Sequence, residues 1–319
     1  GLDPVRKLLA ALHNPQDAYA SVLIAGTNGK GSIAAMLASI LGEAGYRVGL
    51  YTSPHLVHLE ERIRVNGEMI DGKTLDGLID EIRGPLQGEG AVTYFEFLTA
   101  VAFLYFLRRQ VDVAVLEVGL GGRLDATNVV TPLVSIISNI SLEHKEYLGN
   151  RLTDIAREKG GVIKAGGVCI TAAKQKQVLT VFEEICRERK AQLFRLGKHV
   201  RLRRHRSGAF SYYGIGKNYR DLFCVLAGRH QVENTALALA ALEQLAQGGF
   251  PVADGSVARG LKKTQWEGRL EVIQTAPQLI LDGGHNLAGI AVLCRALREV
   301  FSYKRLILVF AVMGDKNFP

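Results

Sequence analysis

The stretch "VLIAGTNGKGSIAAML", Val22 to Leu37, decides the fold of this 319-residue chain. An apolar run, a glycine-rich turn and a helical pattern follow one another, the order of a strand that feeds a helix through a phosphate-binding loop. The common form of that loop is G-x-x-x-x-G-K-[ST]. Here Ile24 stands where its first glycine should be, and Gly31 separates Lys30 from Ser32. The spacing fails, but the physical requirements are met. A phosphate cradle needs glycines that let backbone N–H groups converge, a helix amino terminus behind them, and a cation that reaches the β- and γ-phosphates. Gly26, Gly29 and Gly31 supply the first, "SIAAMLASIL" the second and Lys30 the third. A turn whose glycines serve only tight packing is the bland alternative, and the ordered strand, loop and helix argue against it.

Outward from this loop, apolar runs alternate with helical patterns: "RVGLYTS", "VDVAVLEVG" and "LVSIISNIS" read as further strands. Continuous apolar strands that each feed a helix predict an α/β fold with a mostly parallel sheet covered on both faces. Ligands of such sheets gather at the carboxyl ends of strands. Gly26 to Ser32, Ser53, Glu117 and His144 all fall there. Between Phe194 and Leu226 short alternating segments with glycine turns predict antiparallel strands at the sheet's margin. "NTALALAALEQLAQGG" returns to helix. After "EGRLEVIQTAPQ", the strand "LILDGGHN", the helix "LAGIAVLCRALREVF" and the strand "RLILVFAV" read as one β-α-β unit. Such a unit cannot bury a core alone. The expected division is therefore a domain over 1–272 and the incomplete start of a second α/β domain over 273–319.

With 48% hydrophobic and 22% charged residues, the chain is globular rather than disordered. No apolar run approaches the ~20 residues that span a bilayer, and "GLDPVRKLLAAL" lacks the order of a signal peptide, so a cytoplasmic setting without membrane contact is expected. Cys169, Cys186, Cys224 and Cys294 are widely spaced and form no C-x-x-C pair, which suits reduced thiols. A formal charge of +8 favours anionic partners, and a nucleotide satisfies that as well as nucleic acid does. The "RLRRHR" stretch, Arg201 to Arg206, reads either as a phosphate-binding strip or as the solvated basic edge of a strand. No N-K-x-D guanine signature is present, which speaks against a GTPase.

The loop "GTNGKGS" resembles that of the Mur-ligase superfamily. Further stretches narrow the resemblance to its folylpolyglutamate synthase and dihydrofolate synthase family: "TSPHL" from Thr52, "ERIRVNGEMI", "TYFEFLTAVAF" from Thr93, "LEVGLGGRLDATN" from Leu116, "SNISLEHKEYLGNRLTDIAREKGGVIK" from Ser138, "GRHQVENTALAL" from Gly228, "WEGRLE" from Trp266 and "DGGHN" from Asp282. The resemblance implies a P-loop-type central domain and a truncated Rossmann-like C-terminal domain. It implies an ATP-dependent amide ligase, in which a substrate carboxylate attacks the γ-phosphate and L-glutamate captures the acyl phosphate. ATP and two magnesium ions are the implied cofactors. Dihydropteroate or reduced folates and L-glutamate are the implied partners of a monomer, with no nucleic acid.

Residue by residue, the resemblance implies ATP contacts at Gly26, Thr27, Asn28, Gly29, Lys30, Gly31, Ser32, Asn234, Arg269, Asp282 and His285. It implies metal ligation by Ser53, Glu117 and His144, and catalytic roles for Lys30, His144 and Lys159. The pterin end of the substrate is expected at Leu2, Asp3, Thr93, Phe95, Glu96, Leu124, Asp125 and Ala126. Several of these have bland alternatives. Asn234 reads equally as a helix cap, Asp282 as the opening of a helix, Phe95 as core and Glu117 as a solvated strand-end carboxylate. Lys159, in the last turn of "LTDIAREK" before Gly160 and Gly161, reads either as a cation complementing the helix dipole or, as the family implies, as a carbamylated ligand-holding lysine.

The chain departs from the family at Glu143, where aspartate is common, at Lys145 for threonine, at Gly160 for alanine, and in "DGGHN", with Leu287 for proline. Arg269 and Asp282 lie on the two sides of the proposed domain joint, so the site is expected to close as the domains approach. The retained pterin segments favour a bifunctional enzyme that makes dihydrofolate and extends folate tails. The rivals are a Mur-type ligase acting on a UDP-linked cell-wall precursor and a basic P-loop nucleic-acid binder.

Overall fold

The computed structural model describes residues 1–84 and 92–312. Its strands run β1 (Ala20–Ala25), β2 (Val48–Tyr51), β3 (Ile63–Val65), β4 (Glu68–Met69), β5 (Val113–Glu117), β6 (Val134–Ile137), β7 (Val168–Thr171), β8 (Gln192–Arg195), β9 (Arg201–Arg204), β10 (Phe210–Tyr213), β11 (Asn218–Leu222), β12 (Glu271–Thr275) and β13 (Gln278–Leu281). The helices are α1 (Asp3–Ala11), α2 (Lys30–Glu43), α3 (Gly72–Arg83), α4 (Tyr94–Arg108), α5 (Lys145–Leu148), α6 (Leu152–Gly160), α7 (Lys176–Glu188), α8 (Arg229–Gln247), α9 (Asp254–Lys263) and α10 (Leu287–Val300).

Strands with apolar residues on both faces belong in the middle of a parallel sheet. β1, β5 and β6 are of this kind, and the large sheet has the order β4-β3-β2-β5-β1-β6-β7-β8. From β2 to β8 every pairing is parallel, with Leu23 opposite both Leu116 and Ser135. Successive residues of β1 face opposite sides, as strand geometry requires. Leu23 and Ala25 enter a core built with α1, α3, α4, α6 and α7, while Val22 and Ile24 enter a second core with α2, α8, α9 and β10.

α4 is apolar all round because it is buried, and Thr93 with Glu96 closes its amino terminus in a reciprocal capping box. α2 leaves the loop and is held from behind by α9. Gly260 allows that approach: a Cβ there would sit 2.5 Å from Ile40 Cα, and Ser39 Oγ donates to the Gly260 carbonyl at 2.8 Å.

Three differences from the sequence-based expectations have physical causes. The segment from Phe194 to Leu226 contributes β8 to the large sheet's edge, but its antiparallel strands β9, β10 and β11 form a separate three-stranded sheet over α8. The antiparallel margin is on the opposite edge, where "ERIRVNGEMI" turns back as β3 and β4 on β2. The run "RLILVFAV" forms no strand: β12 and β13 pair with each other, and Ile307, Leu308 and Val309 are 73%, 66% and 92% exposed. A strand needs a ladder partner, and the described residues provide none for this run. Residues 313–319 of the expected second domain lie outside the described residues.

Substituting Gly260→Ala drives a methyl into the α2 backbone. It should lower stability by about 1–3 kcal/mol, the usual cost of overpacking, read as a shifted urea midpoint with an unchanged m-value.

Candidate active site

The loop after β1 lies at the carboxyl edge of the sheet between the ends of β5 and β6, and β6 holds it. Thr27 N donates to the Asn139 carbonyl at 2.9 Å and Asn28 N to Asn139 Oδ1 at 3.1 Å. The Asn28 carbonyl accepts from Ser138 Oγ at 2.7 Å and Asn139 Nδ2 at 3.0 Å. Gly29, at φ +87°, opens α2, and a Cβ there would fall 2.6 Å from Asn234 Oδ1. Only glycine satisfies both the backbone angle and that contact. Lys30 folds back over its own loop, with Nζ donating to the carbonyls of Gly26 at 3.2 Å and Thr27 at 3.3 Å.

A second ammonium converges on the same carbonyl. Lys159 Nζ donates to Gly26 O at 2.9 Å and pairs with Glu143 at 2.7 Å; the lysine is buried and the Glu143 side chain nearly so. The dipole-complementing reading of Lys159 does not hold, because its side chain runs inward rather than along the helix end. Burial pulls this ammonium down to about 8, with the Glu143 charge opposing and the Lys30 charge adding to the fall. For Glu143, burial pushes the carboxyl up, but Lys159 and Lys30 together with hydrogen bonds from Lys159 and Thr27 outweigh it and hold it below the ordinary range.

Glu117 ends β5 next to Ser53, which follows β2, and Ser53 N donates to Glu117 Oε2 at 3.2 Å. The carboxylate is 5% exposed, so the solvated reading of it fails. Burial raises it above the ordinary carboxylate range against the pull of Lys30, the Ser53 amide and Arg269. His144 opens α5 in a left-handed conformation, φ 44°. Ser53, Glu117 and His144 all face one cavity of about 1180 Å³, together with the loop from Thr27 to Ser32. Among the described residues no three His, Cys, Asp or Glu side chains form a metal-holding cluster by themselves. The donors present instead suit a hard cation that completes its shell with phosphate and water oxygens.

The same cavity takes in the segments expected to meet a heterocyclic substrate. Thr93, Phe95, Glu96, Leu124, Asp125 and Ala126 line it. The Phe95 ring lies 5.9 Å from that of Tyr51 and covers Gly119, where a Cβ would meet it at 2.7 Å. Leu124 is half exposed at the rim. Asp125 turns inward: its carboxylate accepts from the amides of Gly119, Leu120 and Thr127, each at 3.0 Å, and from the Thr127 hydroxyl. That saturation makes it the organiser of the "GLGGRLDATN" loop rather than a group free for a ligand. Leu2 and Asp3 do not line the cavity; Gly1 and Pro4 do. Leu2 packs against the core, and Asp3 is the exposed first-turn acid of α1.

From the far side come Arg269, Asp282 and His285. Arg269 and Asp282 flank the two strands of one hairpin, and Leu270 N donates to Asp282 Oδ2 at 3.0 Å. The β12–β13 ladder therefore holds them side by side, and no closure is needed to bring them together. Asp282 Oδ1 accepts from Gly284 N at 2.9 Å, so it shapes the turn after β13 rather than opening a helix. Asn234 lies inside α8, which begins at Arg229, and is not a cap; its Nδ2 donates to Gln231 Oε1 at 2.9 Å. Sequence reasoning passed over Ser138, Asn139 and Gln231, whose side chain donates to Ser32 Oγ at 3.2 Å. The polar pair "SN" after β6 was the available signal, since it sits at a strand's carboxyl end.

This arrangement has known counterparts. Residues 24–242 match the family model described as the Mur ligase middle domain, and residues 268–318 match the glutamate ligase domain of Mur ligases. The dihydrofolate synthase/folylpolyglutamate synthase of Bacillus subtilis (strain 168) is 36% identical over 329 residues, which span 100% of this chain and 76% of that protein. The chain belongs to the folylpolyglutamate synthase and dihydrofolate synthase family of Mur ligases. Within that family, the solved structure of Mycobacterium tuberculosis folylpolyglutamate synthase complexed with ADP has a TM-score of 0.93 at 35% identity, covering 99% of this chain and 73% of that one. An FPGS complex with AMPPCP and folate has a TM-score of 0.89 at 36% identity, covering 95% and 77%. The mostly parallel α/β sheet of this protein is the fold of these solved structures. No helix among the described residues is long and apolar enough to cross a membrane.

Glu117→Gln removes a buried charge that folding disfavours relative to its neutral form. The ligand-free variant should melt at or above the parent's temperature by calorimetry; a fall of more than about 5 °C would show instead that the charge stabilises the fold.

Proposed function

We propose that this protein is an ATP-dependent amide ligase that joins L-glutamate to dihydropteroate and to folylpolyglutamates. One observation carries the reading. A single cavity of about 1180 Å³ joins the glycine loop, the buried Glu117 and the aromatic wall around Phe95, so a triphosphate and a flat heterocyclic acid fit in one enclosure. Relatives bearing both activities in their names, and a relative's complex with AMPPCP and folate, support it.

The α2 amino terminus and the amides of the loop bind phosphate, and Lys30 turns from its loop carbonyls toward the added negative charge. Ser53, Glu117 and His144 would hold magnesium, which when bound neutralises charge developing on the transferred phosphoryl group. Glu117 fits that role because its one hydrogen bond among the described residues leaves an oxygen for a cation. The Phe95 ring offers a face on which a pterin stacks, so that the substrate carboxylate is aimed at the γ-phosphate. Attack yields an acyl phosphate and ADP; the glutamate amine then displaces phosphate, forming the amide. Asn234, Arg269, Asp282 and His285 are assigned to the nucleotide.

We assign residues 1–272 to ATP binding and 273–319 to the start of the glutamate-ligase domain. The reading has a cytoplasmic monomer whose partners are folates and L-glutamate rather than nucleic acid or a membrane. The basic run from Arg201 favours no second reading, since β9 lies in the separate sheet and none of its residues lines the cavity.

ADP release with ATP and magnesium should require both an acceptor, dihydropteroate or tetrahydrofolate, and L-glutamate. Release indifferent to either would overturn the ligase reading. Carbamylation of Lys159 needs its neutral amine, and an ammonium held at about 8 supplies a growing neutral fraction as pH rises through that value. Bicarbonate should therefore raise turnover, and intact mass should show one added carbon dioxide that Lys159→Arg abolishes. The same depressed value means that the unfolded chain binds more protons than the folded one between about 8 and the ordinary lysine range near 10.4. Lys159 thus detracts from stability below that window, and the deficit is relieved as pH rises through it.

A further inference from the structure

The glycine loop and the segment after β13 meet through one pair of side chains. Asn28 Nδ2 donates to Asn286 Oδ1 at 3.2 Å, and Asn286 Nδ2 donates to Asn28 Oδ1 at 2.9 Å. The pair is a closed amide ring between residues far apart in the chain. Neither member has freedom to spare. The backbone N–H and carbonyl of Asn28 are bound to Asn139 and Ser138, so its position follows from β6. Asn286 caps α10, its Oδ1 also accepting from Gly289 N at 2.8 Å. The first turn of α10 is thereby referred to the loop, and through the loop to the large sheet.

Little else fastens this unit there. Of the residues of α10 only Ala296 is buried. Near its far end Arg229 meets Glu299 at 2.8 Å, a solvent-exposed pair of the kind that contributes little. Yet α10 and the turn before it supply a wall of the cavity, with Asp282, His285, Gly289, Val292 and Leu293 all facing it. A thin, polar junction leaves relative motion as the default, so a specific polar contact has to set the register.

We infer that the Asn28–Asn286 amide pair registers the β12–β13–α10 unit on the phosphate loop, which makes Asn286 a positioning residue for ligation. The pair acts by geometry. It holds the turn from Asp282 to His285 over the loop, so that groups from both units act on one bound nucleotide. Its role in turnover rests on the ligase reading above; its role in docking does not.

Two substitutions separate this role from helix capping. Serine caps a helix about as well as asparagine but is too short to reach Asn28, whereas alanine loses both functions. Asn286→Ser should therefore already show the docking defect, with Asn286→Ala at least as severe. Without nucleotide, hydrogen exchange at amides 289–293 of the full chain should quicken about tenfold in Asn286→Ser, the effect of losing two ordinary neutral hydrogen bonds, and by at least as much in Asn286→Ala. Turnover at saturating substrates should fall about tenfold, while AMPPCP affinity by calorimetry should fall by no more than about threefold, because the loop amides that carry the phosphate stay in place and only the contacts of the Asp282–His285 turn are displaced. Parent-like exchange in Asn286→Ser with a defect confined to Asn286→Ala would reduce Asn286 to a cap and overturn the inference. Turnover unchanged in both variants, or a loss of turnover matched by an equal loss of AMPPCP affinity, would also overturn it. Failure of the parent to bind AMPPCP would instead sink the ligase reading, and the exchange comparison would still decide the docking role.

Discussion

The burial of β1 on both faces is the constraint from which the site follows. A strand with apolar residues pointing both ways must lie inside the sheet, and β1 lies between β5 and β6. Its carboxyl end therefore opens between the ends of those two strands. Glu117 comes from one neighbour; Ser138 and Asn139 come from just past the other. The loop is clamped by the residues after β6 and faces the β5 carboxylate because β1 lies between those strands, where Val22, Leu23, Ile24 and Ala25 are all buried. The glycines do their work inside that frame, letting α8 and its Asn234 approach the turn directly.

Charge is packed into this corner at some cost to folding. Two lysines share the Gly26 carbonyl, and among the described residues Glu143 forms an ion pair with one of them, Lys159. Glu117 is buried with one hydrogen bond among the described residues, from the Ser53 amide, and with the charges of Lys30 and Arg269 near it. Each of these groups is held away from its ordinary protonation range or pinned by a neighbour, a pattern that marks working sites. The acidic residues divide into two kinds. Asp125 and Asp282 spend their oxygens on backbone amides and build turns, whereas Glu117 keeps an oxygen toward the cavity. Sequence motifs give each of them a ligand-binding role, Glu117 for metal, Asp125 for the pterin and Asp282 for ATP, and hydrogen bonding shows which of them also build turns.

The second unit is attached more lightly than the first is built. α2 packs on α9 closely enough to need a glycine at the contact, whereas α10 touches the loop through one amide pair and buries one side chain. Precision at such a junction comes from directional polar contacts rather than from area. That suits a site whose far wall, carrying Asp282 and His285, must be placed accurately and still exchange its ligands.

By itself the sequence determined the α/β class, the parallel strands, the loop and the strand-end positions of Ser53 and Glu117. These are local facts: apolar periodicity and glycine spacing are written within a few residues, and a carboxyl strand end is recognisable wherever the strand sits. Tertiary structure decided what meets what. That Lys159 runs inward to Glu143 and that Asn28 finds Asn286 depend on strand order and helix docking between separate parts of the chain. Pattern also misjudged "RLILVFAV", because an apolar run becomes a strand only where a partner offers a ladder. It misplaced Leu2 and Asp3 as well, since which face of the first turn meets the cavity is set by how α1 packs on the core.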